Sequence, residues 1–403
     1  MTEDVESPHV GLPWLELIRH FSPIWFTVIM GTGITSVLLN RVPYNGAWLF
    51  WLSVIVYVLN VTLFAMAVMI SVVRYAVWPR AWSIMLCDPQ HSLFLAAIPI
   101  SFATVIDMFI YVCIPHWGTW APIFAWACWI LDSILALVVT VLVPHTIMSR
   151  DENHDLSRIN AVHLMPVASP LAAAITGGLI ASVLENSRHA QWTIIACIAL
   201  WWVGIMMSSV ILTIYYLRLI LRNLPAREAI PSVFLPTSPL SLGSIAAIEL
   251  GSAALKVFPI TGLLHEISGP VVYILGVMVG VILWAAGLLW LIYAIGIILH
   301  VKRVHFTMGW WGFTFPLGSW SLATIILGRE FSTTFLMILS TISSACCFLL
   351  WVIVMLGTIR AFAHGRIQYN SCVSQWEERN GEELKKIKVP RVFFSWRRRQ
   401  NDQ

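Results

Sequence analysis

The chain has 403 residues, of which 59% are hydrophobic and 11% charged, with a formal net charge of +4 and a mean hydropathy of +0.81. An ordinary soluble domain is roughly a quarter charged. So apolar a composition excludes a soluble enzyme or binding module and points to a chain that lives mostly in lipid.

Apolar stretches recur along almost the whole sequence, each about 20 residues long and so able to cross a hydrocarbon layer of about 30 Å as a helix. Backbone groups in lipid have no water to bond, which leaves only helices or a closed barrel. Strict alternation of apolar and polar residues is absent, so the predicted fold class is an all-α integral membrane protein.

In chain order, residues 1–20, MTEDVESPHVGLPWLELIRH, are polar and acidic. They lack the basic start and short apolar centre of a cleaved signal and read as a retained cytoplasmic segment. Ten spans are predicted over residues 21–360: Phe21–Leu39, Trp48–Val73, Ser92–Cys113, Ala121–Val143, Val162–Leu184, Gln191–Leu217, Val233–Leu255, Pro270–Leu299, Trp311–Leu327 and Phe331–Thr358. Residues 361–403 form a basic cytoplasmic tail. Its LKKIKVPRVFFSWRRR mixes basic and aromatic residues, either as a solvated tail or as a segment lying on the anionic inner leaflet of membrane lipid.

Positive loops stay cytoplasmic. The loops after even-numbered spans hold Arg74, Arg80, Arg150, Arg158, Arg218, Arg222, Arg227, Lys302 and Arg303, against Arg41, Arg188, Lys256 and Arg329 after odd-numbered ones. This excess predicts that both termini are cytoplasmic. The seven cysteines form no CxxC pair and read as free, mostly buried thiols rather than disulfides or a metal site.

The prolines repeat. Each odd-numbered span carries Pro followed by small polar residues: FSPIWFTVIMGTGITS, AIPISFAT, MPVASPLAAAITGG, LPTSPLSLGS and FTFPLGSWSLAT; the even-numbered spans have Pro only at their ends. Proline removes a helical donor and frees a carbonyl, which is tolerated at membrane depth only against protein or a water-filled cavity. The pattern predicts five tandem hairpins, with kinked odd-numbered helices forming an inner ring around a central pore. Gly31 and Gly33 taken alone read as packing positions, since small residues also let helices approach closely. The alternation over five helices is what argues for a path.

Two of these segments, RHFSPIWFTVIMGTGITSVLL and HFTMGWWGFTFPLGSWSLAT, resemble the first and ninth helices of the tellurite-resistance, dicarboxylate-transporter and slow-type anion channel family. The resemblance extends in hydropathy over residues 14–365, and the motif wording is most similar to the family's fungal sulphite-efflux branch, then to its fungal malic-acid permeases. It implies a transporter at the plasma membrane, assembled as a trimer, with an aromatic side chain of the ninth helix plugging each pore. By motif that plug falls on Phe315, immediately before Pro316, with Phe313 as the fallback on another face of the helix. A ring beside a proline can swing out of a narrow tube while its faces keep the constriction dry.

No Lys or Arg lies in the middle of a span, so anion preference is expected from the partial positive charge of the broken helices' N-termini. Hydroxyl donors would add to it: Thr32, Thr35, Ser36, Ser101, Thr104, Ser169, Thr176, Ser238, Ser241, Ser244, Thr314, Ser319 and Thr324. Such a diffuse field suits bisulphite, nitrate or chloride better than a dicarboxylate, which calls for a bidentate arginine clamp. Sulphite efflux is therefore favoured over malate transport. Asp107, Asp132 and Glu249 lie inside spans, where an ionisable group is by default a functional hypothesis. Asp132 is expected to accept hydrogen bonds from a neighbouring broken helix, and Glu249 is a candidate for coupling a proton to anion movement. Arg19, His20 and His163 are candidates for a basic funnel at the cytoplasmic side, and the histidines could make transport pH-sensitive.

An intramembrane enzyme would show HExxH, a GxSxG turn or paired His and Asp at the same depth in adjacent spans, and an ATP-driven pump a GxxxxGKS loop. The sequence has none, so the expected activity is non-enzymatic and needs no cofactor or metal. The expected partners are a small inorganic anion or a dicarboxylate, membrane lipid and further copies of the chain, not nucleic acid.

Overall fold

A computed structural model of the chain describes residues 14–149, 156, 159–222, 227–301, 306–364 and 376. Arg150, Arg158, Lys302, Arg303, Cys372 and the basic run at 384–399 lie outside the described residues. Among those described, every regular element is a helix. The long ones are α1 (Phe26–Arg41), α2 (Ala47–Val77), α3 (Ala97–Val112), α4 (Trp120–Met148), α5 (Met165–Ala181), α6 (Ser187–Leu221), α7 (Thr237–Thr261), α8 (Ser268–Val301), α9 (Trp311–Glu330) and α10 (Thr334–Ala363).

Among the described residues, nine helices are long and apolar enough to cross a membrane. The remaining long helix, α9, spans 20 residues. Thr314, Pro316, Gly318, Ser319, Ser321 and Thr324 dilute its hydropathy, and it is buried over most of its length. A helix shielded by other helices has no lipid to satisfy.

Burial separates two sets. In α1, α3, α5 and α7, with their preceding turns, between 67% and 100% of an apolar 18-residue stretch is buried, against 17% to 33% in α2, α4, α6, α8 and α10. The odd-numbered helices pack in a closed ring, α1 on α3, α3 on α5, α5 on α7, α7 on α9 and α9 on α1. Each even-numbered helix packs on the outside of this ring and exposes residues such as Trp51, Val72, Leu131, Ile282 and Leu349. Apolar side chains on that face are what a lipid solvent requires.

Tryptophan indoles pin the outer helices to the inner ones. Trp129 of α4 donates to the Ala173 carbonyl of α5 at 2.8 Å, and Trp201 of α6 to the Gly243 carbonyl of α7 at 2.8 Å. Trp284 of α8 reaches Thr324 of α9 at 2.8 Å, and Trp351 of α10 reaches Thr32 of α1 at 3.1 Å. A buried indole N–H needs an acceptor, so each bond fixes the rotation of one helix against another. Gly33 completes the packing: a Cβ there would collide with Thr104 of α3 and lie 2.9 Å from the Asn60 amide of α2. Gly31 lies as close to Thr314 and Trp311 of α9.

The inner helices are not broken in mid-membrane as the prolines suggest. Each is preceded by a 3-10 segment instead: Pro23–Trp25, Phe94–Ala96, Ala161–Leu164, Arg227–Phe234 and Met308–Trp310. Pro99, Pro166 and Pro239 sit in the first turn of their α-helices, where the missing N–H would have no intrahelical partner anyway. Pro170 and Pro316 lie in helix interiors. So does Pro144 of the outer helix α4, which the sequence suggests is terminal.

Candidate functional site

The five 3-10 segments meet. Because the inner helices run parallel, their N-terminal turns converge at one end of the ring around a vestibule of about 930 Å³. Its wall takes Ser22, Ile24 and Trp25 from the start of α1, Phe94 from that of α3, Asn160 and Val162 from that of α5, Ala229 and Ser232 from that of α7, and Thr307 to Trp310 from that of α9. Each helix N-terminus carries the equivalent of about half a positive charge on its unpaired N–H groups. Five aimed at one space make an anion-attracting field without a buried formal charge.

Side chains add to that field. His20 lines the vestibule, as do Arg360 and His364 at the end of α10. Ser22 and Thr307 stand at the N-cap positions of their 3-10 turns, yet neither spends its hydroxyl on capping. Both oxygens are buried without a hydrogen-bond partner among the described residues. These hydroxyls, with Arg360 and His364, escape sequence reasoning. The available signal was the Ser22-Pro23 pair, a helix-start pattern.

Towards the ring's centre the vestibule narrows at Met30, Met165 and Leu235, which also border a second void. This void of about 10 Å³ is enclosed by Met30, Ile100, Leu164, Met165, Ala168, Leu235, Ser238, Pro239 and Phe315. All five inner helices or their leading turns contribute. The space is at most that of a single water, and Phe315, 2% exposed, is one of the side chains that line it. Phe313 instead packs edge-on against Phe234 at 5.1 Å and Trp310 at 5.6 Å, in a separate cluster between α8 and α9.

Most of the candidate hydroxyls face helix contacts rather than this void. Thr35 and Ser36 donate to carbonyls of their own helix, as do Thr104, Ser241, Thr314 and Ser319. Ser101 donates to the Phe26 carbonyl and Ser244 to that of Gly280. Ser169 meets Thr140 of α4, while Thr32 and Thr324 accept the indoles described above. Ser238 alone of the thirteen borders the constriction.

The acidic residues separate. Thr176 donates to Asp107 at 2.7 Å, joining α5 to α3. Asp132 is fully buried, and among the described residues neither carboxyl oxygen has a hydrogen-bond partner, where bonds from a broken neighbouring helix are expected. Glu249 faces the opposite mouth, within electrostatic reach of Arg41, Lys256, Arg329 and Glu330. Of the funnel candidates, His20 lines the vestibule. The His163 ring is folded back into a capping box with Asn160, 3.0 Å from its carbonyl. Arg19 is buried, its carbonyl accepting from Arg74 at 3.0 Å.

Comparison with known proteins bears on the same residues. The sequence profile of the SLAC1 family, described as voltage-dependent anion channel, matches residues 20–359. The sulfite efflux pump SSU1 of Trichophyton rubrum is 38% identical over 358 residues, 89% of this chain and 92% of that protein. The sulfite efflux pump SSU1 of Candida albicans is 24% identical over 85% of this chain and 74% of its own length. The malic acid transport protein of Schizosaccharomyces pombe is 22% identical, covering 89% of this chain and 82% of that protein.

Proposed function

The chain belongs to the SLAC1 voltage-dependent anion channel family and is a multi-pass transporter of anions, and from that premise we propose that it carries sulphite or bisulphite out of the cell across the plasma membrane. The anion enters the vestibule, passes a constriction closed by Phe315, and leaves at the opposite mouth. Both termini are cytoplasmic in this reading, and the vestibule opens to the cytoplasm.

The observation that carries the reading is the convergence of five helix N-termini on the vestibule. A field made of partial charges attracts an anion without holding it in a fixed geometry, which is what a conducting path requires. Arg360 is the one arginine or lysine among the described residues lining it. A dicarboxylate bound for transport calls for guanidinium forks at both ends. Malate remains the second reading on the strength of the 22% identical malic acid transport protein, against 38% for the sulphite pump. Direction follows from the membrane potential: an inside-negative membrane drives a monovalent anion outward by about 2.3 kcal/mol per 100 mV. A homotrimer follows from the family resemblance, and the mass of the protein in lipid nanodiscs tests it.

The function is tested by potential-driven flux in proteoliposomes with sulphite, nitrate, chloride and malate compared on the native chain. Sulphite flux exceeding malate flux supports the proposal. Malate exceeding sulphite gives the function to the dicarboxylate reading.

A further inference from the structure

The mouth opposite the vestibule is built on the opposite electrostatic plan. There the inner helices end, and their last carbonyls carry the negative pole of each helix. An anion leaving the constriction meets repulsion unless something offsets it. Arg41 occupies the last turn of α1 and Arg329 the last turn of α9, two helices that pack on each other. The Arg329 guanidinium donates to the Arg41 carbonyl, which ties the two cations together. The Arg41 guanidinium lies over the Tyr111 ring, 4.7 Å from its centroid, and its Nε is buried with no hydrogen-bond partner among the described residues. Stacked so, its planar face is held and its N–H groups remain for a planar or pyramidal oxoanion.

Three acidic groups share the region, and they are not equally engaged. Asp107 accepts from Thr176, and Glu330 accepts from the Tyr273 hydroxyl. Glu249, half-buried on α7, faces Arg41, Lys256 and Arg329 but has no hydrogen bond or ion pair among the described residues. A carboxylate held near two guanidinium groups and bonded to neither stands where an exogenous anion would sit.

We propose that Arg41 and Arg329 form a second binding site, for a small oxoanion at the far mouth of the path, and that Glu249 is its tethered competitor. The carboxylate balances the two cations while the site is empty and yields to an arriving anion, so binding stays weak enough for release. The inference rests on the reading of the chain as an anion path, and it adds the residues that govern exit.

The test is anion current through the full-length protein in planar bilayers, with the anion added from one side at a time and orientation read from a tag at the chain terminus. Glu249→Gln, which keeps shape and removes charge, lowers the half-saturating concentration from the Arg41 side about threefold to tenfold, with the vestibule side unchanged. Arg41→Gln raises it by a similar factor on that side only, and Arg41→Lys, retaining charge without the fork, falls between. Thermal unfolding of each variant in detergent establishes that it is folded. Half-saturation unchanged on both sides in folded Glu249→Gln and Arg41→Gln overturns the proposal, and sulphite current would still stand. Nitrate carried with the predicted asymmetry, with no sulphite current, supports the exit site and removes the sulphite reading instead.

Discussion

The two mouths of the inner ring solve the same problem by different means. At the vestibule, five helix N-termini supply the positive potential, and Arg360, the one lining arginine among the described residues, adds to it with His20 and His364. At the far mouth, five C-termini supply the wrong sign, and Arg41, Lys256 and Arg329 gather there with Glu249 and Glu330. Parallel inner helices dictate this difference, because five aligned dipoles cannot favour an anion at both ends. Formal charge is therefore needed at one mouth and largely dispensable at the other.

The sharpest way to break this comparison is to open the barrier between the mouths. Phe315→Ala removes the ring that lines the constriction and is expected to raise nitrate or sulphite flux in proteoliposomes by about tenfold or more, a ~1.4 kcal/mol fall in the barrier. Phe313→Ala, removed from the lumen, leaves flux near native and lowers thermal stability by about 3 kcal/mol for the lost aromatic packing. The reverse pattern would assign the plug to Phe313. Next in size, Gly33→Leu forces α1 away from Thr104 and Asn60 and destabilises the ring by roughly 1–3 kcal/mol, read as a lower unfolding temperature in detergent.

At the vestibule, Ser22→Ala together with Thr307→Ala removes two donors that have no hydrogen-bond partner among the described residues and weakens anion affinity from that side by about threefold to tenfold, the two hydroxyls together contributing on the order of 1 kcal/mol. Equal affinity in the double variant would make these hydroxyls bystanders. The smallest effect is expected from Trp351→Phe, which deletes the indole bond to Thr32 while keeping an aromatic ring. It costs about 0.6 kcal/mol, the average for such bonds between membrane helices, as a small shift in the unfolding temperature.

Much of this architecture was legible in the sequence. Proline followed by small polar residues marks each inner helix, because only a helix shielded from lipid tolerates that composition. What the prolines do was less legible. Pro99, Pro166 and Pro239 begin helices rather than break them, and hydropathy has no marker for a 3-10 turn.

Which hydroxyls face the path is hard to read from sequence for a physical reason. A Ser or Thr in a membrane helix can satisfy itself on a carbonyl three or four residues back, as Thr35 and Ser319 do, so its presence says little about which way the helix face turns. Phe315 and Phe313 differ by two residues, about 200° around a helix, and one faces the constriction while the other packs with Phe234. Arg41 and Arg329 were counted only as loop charges bearing on orientation. Nothing in their spacing announces that α1 and α9 are neighbours, an adjacency that ring closure alone creates.

The central claim is that helix termini, not a side-chain charge, make the vestibule attract anions. Its most direct test is the anion-to-cation permeability ratio, from the reversal potential under a potassium chloride gradient, in Phe315→Ala carrying His20→Gln, Arg360→Gln and His364→Gln at the vestibule and Arg41→Gln, Arg329→Gln and Glu249→Gln at the far mouth. The open path is expected to remain anion-selective with His20, Arg360 and His364, the basic side chains lining the vestibule among the described residues, neutralised. A reversal potential at zero, or on the cation side, would contradict it.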